Sequence, residues 1–307
     1  MPFLENVLRG RNVPRERMIQ VAHHYQMFDG VSPINQQNRN LIAALKAELE
    51  TNGPNLPIYW GNRNWHPLLH ETIQQMAAHG IKRALAFVTS AYSSFSSCRQ
   101  YRQNIIEAQS AVGVSAPEVE KLRAFYNHPL FIEANIAQIK TALSQHTSGS
   151  TPHLVFSAHS IPLSMAEKCD YTAQLTETGR LIAEQVGVNN WELVYQSRSG
   201  SPTQPWLGPD VCDHLRELKQ NGVSNVVIAP IGFVSDHMEV IYDLDVEARK
   251  VSEEIGLNMV RASTAGTHPT FVKMIRELIL ERTDDASRRS IGAHGPRHDV
   301  CAVDCCL

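Results

Sequence analysis

A buried strand that runs directly into an acidic helix sets the strongest limit on how this chain can fold. Residues 226–230 are apolar and mostly β-branched, with the length of a fully buried strand, and Gly232 and Ser235 follow as turn residues. From about residue 237 the apolar residues recur with helical spacing. A strand that passes into a helix is the repeating unit of a parallel α/β sheet, and such sheets bind ligands at the carboxyl ends of their strands.

The predicted helix carries a row of carboxylates. Glu239, Asp243 and Glu247 lie at i, i+4 and i+8, so neighbouring side chains are roughly 6 Å apart on one face. Like charges at this spacing raise the pKa of at least one carboxyl group. A solvated acidic surface is the simpler interpretation. The imidazole of His237 beside the row favours a metal or proton-transfer site, and Asp236 is a candidate both for that site and for the N-cap.

The rest of the second half alternates strands with helices in the same way. This alternation indicates a parallel sheet covered on both faces. The predicted strands are 153–158, 191–196, 225–231 and 257–262, and the predicted helices lie near 172–187, 209–221, 237–254 and 268–282.

The first half gives a sparser version of the same pattern. Its predicted helices are 35–50, 66–79, 98–112 and 128–143, and its predicted strands are 56–60, 83–89 and 118–123. The Ser/Thr/Gly-containing stretch 144–152 is typical of a linker. We therefore expect an α/β protein with two Rossmann-like lobes, 1–147 and 148–282, and a cysteine-containing tail, 283–307.

Composition excludes several classes of protein. The 307 residues are 43% hydrophobic with a formal net charge of −3, which gives no support for nucleic-acid binding. No apolar run is long enough to form a transmembrane helix, and the first residues are too polar for a signal peptide. We expect a cytoplasmic protein.

Four separated motifs carry a resemblance to a known family. His159 ends one predicted strand, and Glu239 follows another. The motifs are Phe156-Ser-Ala-His-Ser-Ile-Pro162, Tyr195-Gln-Ser-Arg-Ser-Gly200, Gln204-Pro-Trp-Leu-Gly-Pro209 and Gly232-Phe-Val-Ser-Asp-His-Met-Glu239. In this order along the chain they resemble the motifs of the ferrochelatase family, and the resemblance extends from Gly30 to about Leu280.

The resemblance implies an enzyme that inserts ferrous iron into a porphyrin held between two lobes. His159 would be the proton acceptor or a metal ligand, with Glu239 opposite it. An imidazole, with an ordinary pKa of about 6.5, suits proton transfer at cellular pH. The side chains of Asp236, His237, Asp243 and Glu247 resemble the family's path for protons or metal.

Porphyrin contacts are implied by the same resemblance. Ser32, Arg63, Tyr101 and Trp206 match positions that contact the macrocycle or its propionates. Arg9 begins a cluster that continues with Arg11, Arg15 and Arg17, where membrane-associated relatives have a more hydrophobic lip. Guanidinium groups pair well with carboxylates. The cluster favours coproporphyrin, with four propionates, over protoporphyrin, with two; a surface cluster without a ligand is the alternative.

Three cysteines crowd the end of the chain: Cys301, Cys305 and Cys306. Thiolates gathered at one point need a cation to neutralise them, and a tetrahedral zinc site is one solution. Resemblance to cluster-containing family members implies instead a 2Fe-2S cluster, with Cys98 as the fourth ligand and Cys169 as the alternative.

Other interpretations stay open at this stage. They are a protoporphyrin IX ferrochelatase, a cobalt chelatase and a metal- or haem-binding relative without catalysis. The resemblance implies that the chain begins inside the family's first strand, which favours the last of these interpretations. The resemblance also implies porphyrin and ferrous iron as the partners, together with transient contact with neighbouring enzymes of the haem pathway.

Overall fold

The computed structural model describes residues 15–28, 30–146, 151–199, 203–302 and 305. Within these ranges the strands form two parallel sheets. The first sheet pairs β1 (Arg83–Ala86) with β2 (Glu118–Lys121). The second contains β3 (His153–His159), β4 (Trp191–Gln196), β5 (Asn225–Ala229) and β6 (Asn258–Arg261), in the order β4-β3-β5-β6.

The predicted α/β class with parallel sheets is confirmed. The boundaries of the two lobes and the tail stay a proposal. Residues 147–150 of the predicted linker, 144–152, lie outside the described residues.

Helices pack on both faces of the second sheet. The strand β5 leads into a composite helix that is α-helical over Met238–Val240, π-helical over Ile241–Ala248 and α-helical again over Arg249–Glu254. We call these three segments together the acidic helix. The other α-helices are Arg15–Gln26, Ile34–Asn52, Leu69–Ala78, Gln100–Val112, Pro129–Leu143, Leu163–Ala166, Tyr171–Val186, Val211–Gln220 and Pro269–Thr283, and a π-turn, Phe95–Arg99, precedes the fourth of them.

Some predicted boundaries are wrong, and local hydrogen bonds explain why. Residues 56–60 form no strand; the carbonyl of Trp60 accepts a hydrogen bond from Thr72 Oγ1 at 2.8 Å instead. The helix predicted from His66 begins at Leu69, because the Glu71 carboxylate accepts from the N–H of Leu68 at 3.0 Å. Apolar periodicity does not record side-chain caps of this kind, so it does not predict the first residue of the helix.

The second sheet separates two layers of core. Alternate residues of a strand point to opposite faces. Leu154 and Phe156 of β3 therefore belong to the large cluster that extends into the first half, whereas Val155 belongs to a smaller one. Helix Val211–Gln220 and the acidic helix cover the smaller cluster.

A buried ion pair connects the two halves of the chain. Arg123, just after β2, donates to both carboxylate oxygens of Glu281, at 2.7 and 2.8 Å, and both side chains are almost fully buried. Glu281 lies on the last helix, which also packs against helices Ile34–Asn52 and Pro129–Leu143. The C-terminal helix is therefore fixed to the first half by charge as well as by apolar packing.

Across the part of the chain that the structure describes, none of the helices combines the length and the apolar character needed to cross a bilayer.

Candidate active site

His159 and Glu239 come together at the carboxyl edge of the second sheet. His159 is the last residue of β3, and Glu239 lies in the first turn of the acidic helix after β5, the strand that pairs with β3. The Nε2 atom of His159 is 3.8 Å from Oε2 of Glu239, and the two side chains are 33% and 54% exposed. A base and a carboxylate thus face each other where solvent and a ligand can reach both.

The backbone fixes the orientation of the His159 ring. Its Nδ1 atom contacts the carbonyl oxygen of Ser160, which can only accept a hydrogen bond. In the neutral ring the proton is therefore on Nδ1, and Nε2 presents its lone pair toward Glu239. The hydroxyl of Tyr171 donates to the His159 carbonyl at 3.0 Å and holds the end of the strand.

A glycine allows the loop after β5 to lie against β3. A Cβ atom on Gly232 would come within 2.5 Å of the Ala158 Cβ and 2.6 Å of its Cα. The N–H of Gly232 donates to the carbonyl of Ser157 at 3.0 Å. This close approach brings the start of the acidic helix beside His159.

His237 caps the acidic helix. Its Nδ1 accepts a hydrogen bond from the backbone N–H of Glu239 at 3.2 Å, and its ring lies edge-on to Phe233 at 5.1 Å. Burial lowers the pKa of His237, and the nearby His159 lowers it further, against the opposite effect of Glu239. Because Nδ1 of this neutral ring accepts the N–H of Glu239, His237 fixes the first turn of the helix on which Glu239 lies.

Asp236 does not join the carboxylate row. Its Oδ1 accepts from Arg261 Nη1 at 2.7 Å and from the N–H of Thr264 at 3.4 Å. The same guanidinium holds both carboxylate oxygens of Asp245, at 2.7 and 2.8 Å. Asp236 therefore forms a salt bridge that fixes the loop, and its place on the proton or metal path stays a prediction. The alternative role as N-cap is wrong, because the N-cap of the helix is His237.

Asp243 is the half-buried member of the row. It accepts hydrogen bonds from the hydroxyl of Ser197 and from Gln196 Nε2, the latter at 3.2 Å. Burial raises the pKa of Asp243 to about 7, and the charges of Glu239 and Glu247 add to the rise. The π-helical segment that contains Asp243 is a form frequent at functional sites. Glu247 is exposed, so the row leads from the His159 pair to solvent.

Tyr25 is a neighbour of the site that sequence reasoning missed. It lies on helix Arg15–Gln26, and burial together with the charge of Glu239 raises its pKa to about 12. The phenol therefore keeps its proton at neutral pH beside the carboxylate. Met18, Ala22 and Tyr25 recur at helical spacing, a signal that could have predicted this helix.

The predicted porphyrin contacts fall into separate groups. Arg63 stacks on the ring of Tyr101 at 4.7 Å and donates to Asn104 at 2.7 Å. Ser32 accepts from the N–H of Ile34 at 3.3 Å. Arg63 and Tyr101, both matched by resemblance, are therefore in direct contact with each other.

Trp206 lies beside the His159 strand. It forms an isolated antiparallel β-bridge with Pro162. Its Nε1 atom is buried without a hydrogen-bond partner among the described residues. Arg9 and Arg11 lie outside the described residues, as does the side chain of Arg17, and Arg15 is exposed at the start of its helix.

Comparison with known proteins decides the family. A sequence model of the family described as Ferrochelatase matches residues 1–283. The chain belongs to the ferrochelatase family. Ferrochelatases are lyases, so this family member is an enzyme that handles iron in haem biosynthesis.

Two relatives illustrate how similar the sequences are. A protein named Ferrochelatase from Rhodopirellula baltica is 56% identical over 312 residues, covering 100% of this chain and 88% of its own. A protein named Coproporphyrin III ferrochelatase from Streptomyces coelicolor is 46% identical over 331 residues, with the same shares covered.

Solved structures with low sequence identity share the fold. SirB from Bacillus subtilis, solved with Fe³⁺, gives a TM-score of 0.58 at 14% identity and covers 83% of this chain and 93% of its own. DR2241 from Deinococcus radiodurans, described as similar to chelatases, gives 0.56 at 14% identity, covering 79% and 50%. The family member therefore has a chelatase-like fold.

This ferrochelatase-family chain also gathers thiols away from His159. Cys98 Sγ lies 3.9 Å from Cys301 Sγ, and ligand atoms of His298, Cys301 and Cys305 all lie within 4.8 Å of one another. The contact with Cys301 lowers the pKa of Cys98 to about 5, with Lys121 and Arg102 nearby. His298 was not predicted as a ligand, because the prediction rested on the cysteines alone.

The other cysteines are placed less directly. Cys306 lies outside the described residues. Cys169 contacts the carbonyl of Met165 at 3.2 Å, and burial raises the pKa of its thiol, with Cys305 close enough to add to the rise. Two guanidinium groups fix the tail: Arg99 donates to the carbonyl of Cys305 at 3.2 Å, and Arg102 to that of Cys301 at 3.1 Å.

Proposed function

We propose that this chain inserts ferrous iron into coproporphyrin III, giving Fe-coproporphyrin and releasing two protons, as a step of haem biosynthesis. The observation that carries the proposal is the pair formed by His159 Nε2 and Glu239 Oε2, 3.8 Å apart at the open edge of the second sheet. The choice of porphyrin is supported by relatives named Coproporphyrin III ferrochelatase, at 46% identity in Streptomyces coelicolor and 46% in Nocardia farcinica.

The proton acceptor in this proposal is Nε2 of His159. A porphyrin must lose two pyrrole protons as the metal enters, and a base within hydrogen-bond reach accelerates that loss. Since Nδ1 is held by the Ser160 carbonyl, the lone pair is on the nitrogen that faces Glu239. The iron is the substrate, and Nε2 and Glu239 are its first candidate ligands.

The carboxylate row then removes the protons. Glu239 stands beside His159, Asp243 has a pKa raised to about 7, and Glu247 is exposed. A carboxyl group with a pKa near the working pH both accepts and releases a proton readily. The neutral phenol of Tyr25 beside Glu239 adds a hydrogen-bond donor without adding charge.

The porphyrin needs apolar walls and cationic partners for its carboxylates. Trp206, next to Pro162, is the proposed wall nearest His159. Arg63, stacked on Tyr101, and Ser32 are proposed contacts from the first half. We retain Arg9 as a propionate partner by resemblance. A cytoplasmic location and contact with neighbouring pathway enzymes stay predictions.

Anaerobic insertion assays test the proposal. Fe(II) is added to the full chain with coproporphyrin III or protoporphyrin IX, and the Soret band is followed. We expect turnover with coproporphyrin III at least tenfold faster, since each extra charge-assisted hydrogen bond contributes about 1.5–3 kcal/mol. Faster turnover with protoporphyrin IX would overturn the substrate assignment, and no insertion with either porphyrin would overturn the activity.

A cluster of the 2Fe-2S type is our proposal for the cysteine tail. The fit rests on the convergence of Cys98, Cys301 and Cys305, with a thiol of strongly lowered pKa, since thiolates are the ligands of iron–sulfur clusters. Cys306 is the proposed fourth ligand, and His298 is the additional donor that the structure introduces. Such a group would supply a cross-link between the tail and the first half. Zinc is the competing occupant of a thiol site.

A further inference from the structure

A second group of potential metal ligands lies at the opposite edge of the second sheet. His153 opens β3, Glu192 is the second residue of β4, and His214 lies on helix Val211–Gln220. His159 is six residues further along β3, so the two groups are about 20 Å apart at a strand rise of about 3.3 Å per residue. This group is therefore separate from the proposed iron-insertion site.

The fold places all three side chains on one face. Glu192 pairs in register with Val155, and His153 precedes Val155 by two residues, so both point to the side of the smaller core cluster. His214 lies one turn from Val211 and Leu218, which belong to that same cluster. Two strands and a helix thus deliver one ligand each.

The ligand atoms converge. His153 Nε2 contacts Glu192 Oε2, His214 Nε2 lies 3.7 Å from the same oxygen, and the two rings are 6.4 Å apart. One donor atom from each of the three residues lies within 4.8 Å of the others. Two imidazoles and a carboxylate with an open position are a zinc-type ligand set.

His214 supplies a second observation, a buried nitrogen without a hydrogen bond. Its side chain is only 7% exposed, and Nε2 is buried without a hydrogen-bond partner among the described residues. Its other nitrogen, Nδ1, lies 3.6 Å from Glu217 Oε2, and Nε2 lies 3.7 Å from Glu192 Oε2. A buried imidazole thus points its unbonded nitrogen at the carboxylate that also contacts His153, the arrangement in which one cation can bind all three side chains.

We propose that His153, Glu192 and His214 bind a divalent transition-metal ion, with zinc as the best-fitting class and water as a fourth ligand. Glu217 orients His214 from outside the metal's own ligands, as carboxylates commonly do for ligating histidines. Glu192 is 46% exposed, which gives the ion a route from solvent. Bound there, the ion links β3, β4 and helix Val211–Gln220 and stabilises the second half of the chain.

Zinc binding to the full chain tests this site. The His159→Ala background removes zinc at the proposed insertion site, and the cysteines are common to all samples. After chelator treatment and equilibrium dialysis against Zn²⁺, we expect His214→Gln and Glu192→Gln each to hold one zinc equivalent fewer than the background. The exposed His79, bonded to Tyr59, supplies the control: His79→Gln should hold as much zinc as the background.

Three further readouts make the result specific. Co²⁺ should give a tetrahedral visible absorption that disappears in His214→Gln, and Zn²⁺ should raise the melting temperature of the background more than that of either variant. Glu217→Gln should weaken zinc binding about 10–100-fold. Should His214→Gln fail to fold, Glu192→Gln decides, because its side chain is half exposed. Equal zinc content in all chains would overturn the proposal and leave a plain imidazole–carboxylate contact.

Discussion

The carboxylate of Asp243 is held by the hydroxyl of Ser197, a residue whose backbone has a φ of 62°. A positive φ is uncommon for a residue with a Cβ and costs on the order of 1 kcal/mol or more. The turn after β4 therefore accepts a strained conformation at the point where it supports a half-buried acid. Because the bond stabilises the ionised form, it limits the rise in the pKa of Asp243 that burial causes.

The raised pKa of Asp243 predicts a pH-dependent stability difference. Between the unfolded pKa of about 3.9 and the folded value, the folded chain binds the extra proton, so stability falls as pH rises through this range. Asparagine does not titrate. The free energy of unfolding of Asp243→Asn, relative to wild type, should therefore increase by on the order of 1 kcal/mol from about pH 5 to about pH 8.

Urea unfolding at several pH values measures this difference. Glu133→Gln, at an exposed position of helix Pro129–Leu143 outside the carboxylate row, is the control, and its difference from wild type should change far less over the same range. A constant difference for Asp243→Asn would mean that its carboxyl group is ionised across the whole range.

Gly232 predicts a steric effect that reaches the site. In Gly232→Ala the new Cβ would overlap the backbone and Cβ of Ala158, which cannot move without displacing His159. We expect a loss of about 1–3 kcal/mol in stability, as for other overpacked positions, and reduced iron insertion. Gly295→Ala, where the added Cβ has nothing within 4 Å, is the control. Equal unfolding midpoints for both variants would contradict this close approach.

The buried ion pair between Arg123 and Glu281 predicts a large cost when one partner is removed. Arg123→Met leaves the Glu281 carboxylate buried without its cation, which costs about 3–5 kcal/mol. The pair of Arg83 and Glu120, at 2.8 Å with Arg83 71% exposed, is the comparison, and Arg83→Met should cost about 1 kcal/mol or less. Denaturant unfolding of both variants gives the ratio. Similar costs would show that burial of the Arg123 pair contributes little.

Apolar periodicity predicted the fold well where elements are long and buried. The strand β5 is buried at every residue, and it alternates with helices as the sequence pattern indicated. Short contacts were less predictable. Residues 56–60 have the apolar character of a strand, yet the Trp60 carbonyl accepts a hydrogen bond from Thr72. Thr72 lies twelve residues further along the chain, so the local sequence pattern does not predict this contact.

In the candidate site, too, local spacing could be predicted and tertiary contacts could not. The spacing of Glu239 and Asp243 could be derived from the sequence, whereas the partner of Asp236 could not, because Arg261 is brought to it by the pairing of β5 with β6. The capping role of His237 depends on one backbone N–H, and Tyr25 approaches Glu239 from a helix more than two hundred residues away in the chain.

The cysteine tail predicts a coloured protein. Purified aerobically, the wild type should contain iron and inorganic sulfide in equal amounts, with visible absorption from a 2Fe-2S cluster, because Cys98 and Cys301 already lie 3.9 Å apart. Cys98→Ser should lose most of this absorption and the stabilisation of the tail. Cys212→Ser, on helix Val211–Gln220 away from the tail, is the control. Stoichiometric zinc without sulfide would replace the cluster by a zinc site, and full iron content in Cys98→Ser would assign the ligand to Cys169.

The central claim is that Nε2 of His159 accepts the pyrrole protons beside Glu239. Its most direct test is the rate of anaerobic Fe(II) insertion into coproporphyrin III by His159→Ala, measured with porphyrin binding by fluorescence quenching on the same samples. We expect a loss of at least about 100-fold in insertion rate, the usual contribution of a positioned base, with binding changed by less than about threefold. His79→Gln should keep the wild-type rate. Insertion by His159→Ala within a few-fold of wild type would show that His159 is not the proton acceptor.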